Sequence, residues 1–160
     1  RGASGTPGEL RGDFDLTRDL GLLYANTECG IFGVLPQENR PEAVGEAIPV
    51  ARRTEVRTGK AVILANCRGN EVCAYEIEIE KLYGGSAPTR NLLLRVTDPA
   101  LIALTGGIVQ GMSGSPIVQD GKLIGAVTHV LLDDPQRGYG ILAENMLSAS
   151  GMTAQSAASA

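Results

Sequence analysis

The sequence predicts an all-β domain, closed into a barrel or stacked as a sandwich. Three observations carry this. Short runs rich in Val, Ile and Leu recur at near-regular spacing, with Gly, Pro, Asn or Asp between them. Tyr75-Glu76-Ile77-Glu78-Ile79-Glu80-Lys81-Leu82 alternates strictly. That period of two places Tyr75, Ile77 and Ile79 on one face and three glutamates on the other. Asp120-Gly121 separates two apolar runs and marks a two-residue hairpin turn, because both positions need positive φ.

The elements follow in order. Residues 1–28 are rich in Gly, Arg and Asp without a clear period and read as loop, with at most a short strand or helical turn. Residues 29–35 are a strand closed by Pro36, and residues 36–46 a polar connection. Strands are predicted at Ala47–Val56, Lys60–Cys67, Val72–Tyr83 and Asn91–Thr97. Asp98-Pro99 ends the last of these, since proline supplies no ladder donor. Ala100–Leu104 fits one helical turn. Ser115–Gln119 and Lys122–Leu132 flank the hairpin turn, 133–138 reads as loop, and Tyr139–Ala143 is a last strand. Glu144–Ser148 can begin a terminal helix, and from Ser150 the chain is small, polar and expected to be disordered. No internal repeat is present.

Composition narrows the function. With 160 residues, 43% hydrophobic and 20% charged, the chain fits one soluble globular domain with a real core. Aromatics are only 4%, with no Trp, so that core must be aliphatic. The densest basic stretch, Arg52, Arg53, Arg57 and Lys60, carries no interleaved aromatics. It reads as a solvated strand edge rather than a nucleic-acid site. No apolar run reaches the length of a membrane span. Cys67 and Cys73 flank a turn-like stretch and admit either a cross-hairpin disulfide or two free thiols. A zinc site through Cys29, Cys67, Cys73 and His129 is the weakest alternative, because the usual close paired spacings are missing. No metal or cofactor is implied.

The chemistry-bearing stretch is Gly106-Gly107-Ile108-Val109-Gln110-Gly111-Met112-Ser113-Gly114-Ser115-Pro116. Glycines around Ser113 let the backbone turn sharply and leave N–H groups uncovered. A nucleophilic serine needs both: a hydroxyl clear of the turn, and donors aimed at the developing oxyanion. The same residues also suit a plain Gly/Ser turn between strands.

The context resembles the nucleophile region of chymotrypsin-like serine peptidases: Gly-x-Ser-Gly-Ser-Pro, the hairpin, then Gly125-Ala126-Val127-Thr128. The likeness extends to one family. Thr97-Asp98-Pro99, Thr105 to Ile117, Ile124 to Val130 and Gly138-Tyr139-Gly140 resemble the SpoIVB peptidase family, as do Gly5-Thr6-Pro7-Gly8-Glu9 and Gly30-Ile31-Phe32-Gly33. By that resemblance residues 47–149 form the second six-stranded β-barrel of a double-barrel peptidase with a short C-terminal helix. Residues 1–46 are then the remnant of a first barrel and its connection, and 150–160 a tail. Ser113 becomes the nucleophile, and the N–H groups of Gly111 and Ser113 the oxyanion hole. Thr128 is an orienting residue, and His129 and Val130 line the substrate strand. Asp98 matches a residue the family needs, either in the catalytic group or as support of the Ser113 loop; its plain role is to cap the turn at Pro99.

The resemblance further implies a sporulation signalling protease exported across the forespore membrane. Such proteins cleave themselves and cut a regulatory subunit of a membrane-embedded pro-sigma-factor processing complex. They carry a PDZ domain ahead of the peptidase domain. One departure stands out. The family's catalytic histidine lies in a Gly-His motif before the serine, and here the sole histidine, His129, follows Ser113. The expectation is therefore a truncated chain that lacks its general base and has little activity alone. The alternative is a non-catalytic barrel that binds peptide strands by β-addition at Thr128–Val130.

Overall fold

The computed structural model describes residues 15–42, 45–69, 71–84 and 87–151. Among these, β1 (Leu22–Thr27) and β2 (Gly30–Val34) form a separate antiparallel hairpin. The other six strands close a barrel. They are β3 (Gly59–Arg68), β4 (Glu71–Leu82), β5 (Leu92–Val96), β6 (Pro116–Gln119), β7 (Lys122–Leu131) and β8 (Asp134–Leu142). Their order around the barrel is β3-β4-β5-β8-β7-β6, antiparallel throughout. Two short helices, α1 (Pro99–Thr105) and α2 (Ala143–Ala149), follow β5 and β8.

The alternation in β4 has the expected result. Tyr75, Ile77 and Ile79 are buried in the barrel, and the glutamates face out, with Glu78 and Glu80 both on Arg95. The interior is aliphatic: Ile63, Leu92, Leu94 and Ile117 are fully buried. Such burial stabilises by roughly 1.5–3 kcal/mol per side chain. Asp120 (φ 50°) and Gly121 (φ 75°) form the predicted turn between β6 and β7.

Two local expectations need correction. Residues 47–56 are not a strand. They make a single parallel bridge, Val50 with Leu123, and then a 3-10 turn at Arg53–Glu55. Pro49 has no N–H to continue a ladder, and the Glu55 carboxylate folds back on the Arg52 N–H at 2.8 Å, closing the turn. Two of the basic residues there have side-chain partners: Arg57 with Asp120 at 2.7 Å, and Arg53 with Asn145 at 2.6 Å. The expected loop at 133–138 is instead the first half of β8, because β7 and β8 meet in a two-residue turn that pairs Leu131 with Asp134. Pro135 is tolerated near the strand's start, where a missing N–H matters least. The short strand allowed for within residues 1–28 is β1, which takes up the apolar run at 22–24.

Asn91 ties the barrel to α2. It is 2% exposed, and its Oδ1 accepts the Leu142 N–H and an Asn145 Nδ2–H, both at 3.0 Å. Cys67 and Cys73 are free, half-buried thiols on β3 and β4 near the buried Tyr75 hydroxyl; no disulfide joins them. The stretch Gly5 to Glu9 and residues 152–160 of the tail lie outside the described residues.

Candidate active site

The Ser113 loop is built from α1 onward. Asp98 caps that helix: its Oδ1 accepts the N–H groups of Ala100 (2.8 Å) and Leu101 (3.1 Å), and Pro99 occupies the first turn. Its Oδ2 accepts the N–H of Glu76 at 3.1 Å. These backbone donors, Glu76 foremost, hold the Asp98 carboxyl below its ordinary pKa. Gly106 ends the helix at φ 81°, and Thr105 Oγ1 bonds the Gly107 carbonyl at 2.6 Å. The loop then meets β8. Gly107 lies so close that a Cβ there would overlap the Pro135 carbonyl, and the Ile108 N–H donates to that carbonyl at 2.8 Å.

Met112, 2% exposed, anchors the next turn in the core, and its N–H donates to the Val109 carbonyl at 3.1 Å. Gly111 (φ 99°) and Gly114 (φ 90°) supply the bends on either side of Ser113. Past the serine, the Gly114 N–H donates to Val127 O at 2.7 Å and the Val127 N–H to Ser115 O at 3.0 Å. The loop is therefore held by α1 and β8 on one side and β7 on the other, and Ser113 stands exposed between them.

The Ser113 hydroxyl donates to the Thr128 carbonyl at 3.1 Å. Among the described residues the N–H groups of Gly111 and Ser113 have no protein acceptor. Two uncommitted donors beside an exposed hydroxyl are the arrangement a tetrahedral oxyanion requires. Thr128 serves through its backbone; its own hydroxyl turns away to the carbonyls of Thr89 (3.1 Å) and Tyr139 (3.2 Å). β7 pairs with β6 only as far as Ala126, so among the described residues the edge from Thr128 to Val130 has no strand partner on the Ser113 side. His129 is exposed on that stretch, opposite Tyr139 on β8, and Val130 packs partly on the core. Among the described residues no titratable side chain hydrogen-bonds Ser113. None gather in a metal-holding group, so Cys29, Cys67, Cys73 and His129 do not form a zinc centre.

The structure thus brings Ser113, Gly111 and the backbone of Thr128 together, and sets Asp98 at the far end of α1. Sequence reasoning missed Met112 as the loop's anchor and Pro135 as its strap. An apolar residue between two loop glycines signals the first; nothing local signals the second.

A closed antiparallel barrel that presents a serine beside two free N–H groups at the start of a strand hairpin defines a chymotrypsin-like serine-peptidase domain. The model of the SpoIVB peptidase S55 family matches residues 1–147, and the chain belongs to that family. Three solved structures are similar in fold, all of the Rv3671c protease from M. tuberculosis. Its active form is 21% identical with a TM-score of 0.54, over 83% of this chain and 59% of that one. The inactive form is 19% identical with a TM-score of 0.53, over 82% and 65%. A serine-to-alanine mutant in the inactive form gives 19% and 0.53, over 82% and 63%. The chain therefore spans about three fifths of the length of these structures. No curated protein matches it.

Proposed function

We propose that this chain is the nucleophile-bearing domain of a serine endopeptidase that works by acyl transfer. The observation that carries it is the exposed Ser113 hydroxyl beside the free N–H groups of Gly111 and Ser113. Ser113 Oγ adds to the scissile carbonyl as its proton passes to a general base. The carbonyl oxygen becomes an oxyanion held by the two N–H groups, the C–N bond breaks with the proton delivered to the leaving amine, and water hydrolyses the acyl-enzyme. The peptide's acyl side extends along the open Thr128–Val130 edge of β7. His129 does not reach Ser113 by hydrogen bond, so the base comes from outside the residues described here.

Family membership supports the finer reading: a sporulation signalling protease, exported across the forespore membrane, that cleaves itself and a regulatory subunit of a membrane pro-sigma-factor processing complex. In that reading a PDZ domain and a first barrel are its companions, and the first barrel carries the base. The open edge of β7 favours one alternative, a barrel that holds peptide strands without cleaving them.

The test is labelling of the full-length protein with a fluorophosphonate. Modification of Ser113, lost in Ser113→Ala, is the expected result. An unlabelled full-length protein that still binds peptide would establish the non-catalytic module.

A further inference from the structure

We infer that the peptidase accepts a small, uncharged residue on the acyl side of the scissile bond, and that Ile108 is the side chain that sets this limit. The inference rests on the acyl-transfer reading above. A carbonyl held between Ser113 Oγ and the Gly111 and Ser113 N–H groups, with its chain along β7, directs the acyl-side side chain between three backbone stretches. These are the approach to Ser113 (108–112), the β7 edge (128–130) and β8 behind them (137–139).

The space between these stretches is already occupied. Ile108 is 4% exposed and crosses onto β8. A Cβ built on Gly138 would lie 2.7 Å from Ile108 Cδ1 and 2.5 Å from the His129 carbonyl. Ile108 therefore rests directly on Gly138, one of the two glycines of β8. It is pinned there by its own N–H on the Pro135 carbonyl at 2.8 Å. Val109 and Met112 bury the rest of that wall, at 9% and 2% exposed. From Leu104 to Met112 the chain contains no ionisable residue; in the other two stretches His129 is exposed and Arg137 is engaged by Glu80 and Asp134. A lysine, arginine or glutamate side chain entering here would lose its hydration with no partner in return. A large apolar one would meet Ile108.

The experiment uses the full-length protein and peptidyl phosphonate esters that differ only at the acyl-side residue: Ala, Phe, Lys and Glu. A small fluorophosphonate with no side chain serves as the control. The expected order is Ala far ahead, with Phe, Lys and Glu slower by roughly 100-fold or more, given that one misfit methylene alone changes rates about 10- to 200-fold. Ile108→Ala should raise the rate with Phe, relative to the control probe on the same variant, at least about tenfold. Ile108→Val, which removes one methyl and keeps the packing, should move the same way by less. A wild type that prefers Lys, Glu or Phe overturns the inference. So does an Ile108 series that changes every probe, including the control, equally. If the control labels Ser113 and selectivity is absent, only this inference fails; if the control does not label, the acyl-transfer reading fails with it.

Discussion

The carboxylate of Asp98 accepts the backbone N–H of Glu76 with one oxygen and caps α1 with the other. The residue that closes β5 is thereby fastened to the middle of β4, and the helix leading to the Ser113 loop starts from a fixed point. Asp98→Ala should cost about 1–2 kcal/mol from the lost cap. It also leaves the Glu76 N–H without its acceptor. Asp98→Asn, which keeps an acceptor, should recover part of this. A positioning residue predicts that the fluorophosphonate labelling rate of Ser113 falls in Asp98→Ala and partly returns in Asp98→Asn. Unfolding curves and labelling rates measured on the same samples check both parts.

The same carboxylate makes stability depend on acid. Its folded pKa lies below the ordinary aspartate value, so its contribution is present above that value. It is lost as pH falls through the lower folded pKa. Wild type should therefore lose more stability than Asp98→Asn as pH falls below the ordinary aspartate value. Urea midpoints across that window give the measurement, and parallel curves for the two proteins would refute it.

Gly111 sits at φ 99°, where a side chain is strained. Gly111→Ala should cost about 1–2 kcal/mol locally and turn its N–H away from the oxyanion position. Labelling should drop at least tenfold with little change in the barrel's circular dichroism. An unchanged labelling rate would remove Gly111 from the oxyanion site.

Asn91 is a buried amide whose Oδ1 serves Leu142 and Asn145. Asn91→Ala leaves the Leu142 N–H orphaned, at a cost of about 1–3 kcal/mol. Asn91→Asp should be tolerated no better, because it buries a charge beside no cation. Denaturant midpoints should fall at constant m-value.

Tyr75 predicts an alkaline transition. Burial first, and the nearby Cys67 and Cys73 next, push its hydroxyl up to about 12. A raised folded value means its contribution is complete below the ordinary tyrosine pKa of about 10 and disappears as pH rises through about 12. Absorbance titration should show one tyrosine ionising late, and Tyr75→Phe should erase that step.

The parts of this molecule readable from its residues are those decided within a hairpin. The alternation of β4 reads directly, because one face of that strand is solvent. Asp120-Gly121 reads because the turn needs positive φ at both positions. The Ser113 loop reads because glycine bends leave a mark in sequence. The unread parts depend on residues far along the chain. Pro135 looked like a loop residue, and only the pairing of Leu131 with Asp134 makes it part of β8. The stretch 47–56 looked like a strand, and its one bridge, to Leu123, ends where Glu55 turns the chain. The resting partner of the Ser113 hydroxyl is a main-chain carbonyl, and no residue type at 128 would announce that.

The barrel closes where β3 meets β6, through Val62 with Val118 and Ile63 with Ile117, the pairs most distant in sequence within it. Contacts of that kind form late in folding, since the chain must lose loop entropy before they reward it. Ser113 lies just ahead of β6, the strand that completes this seam, and is held from the other side by β7. The Ser113 loop should thus reach its final form only after the surrounding walls exist. Pulse-labelled hydrogen exchange during refolding would show it as late protection of the Gly114 and Val127 amides.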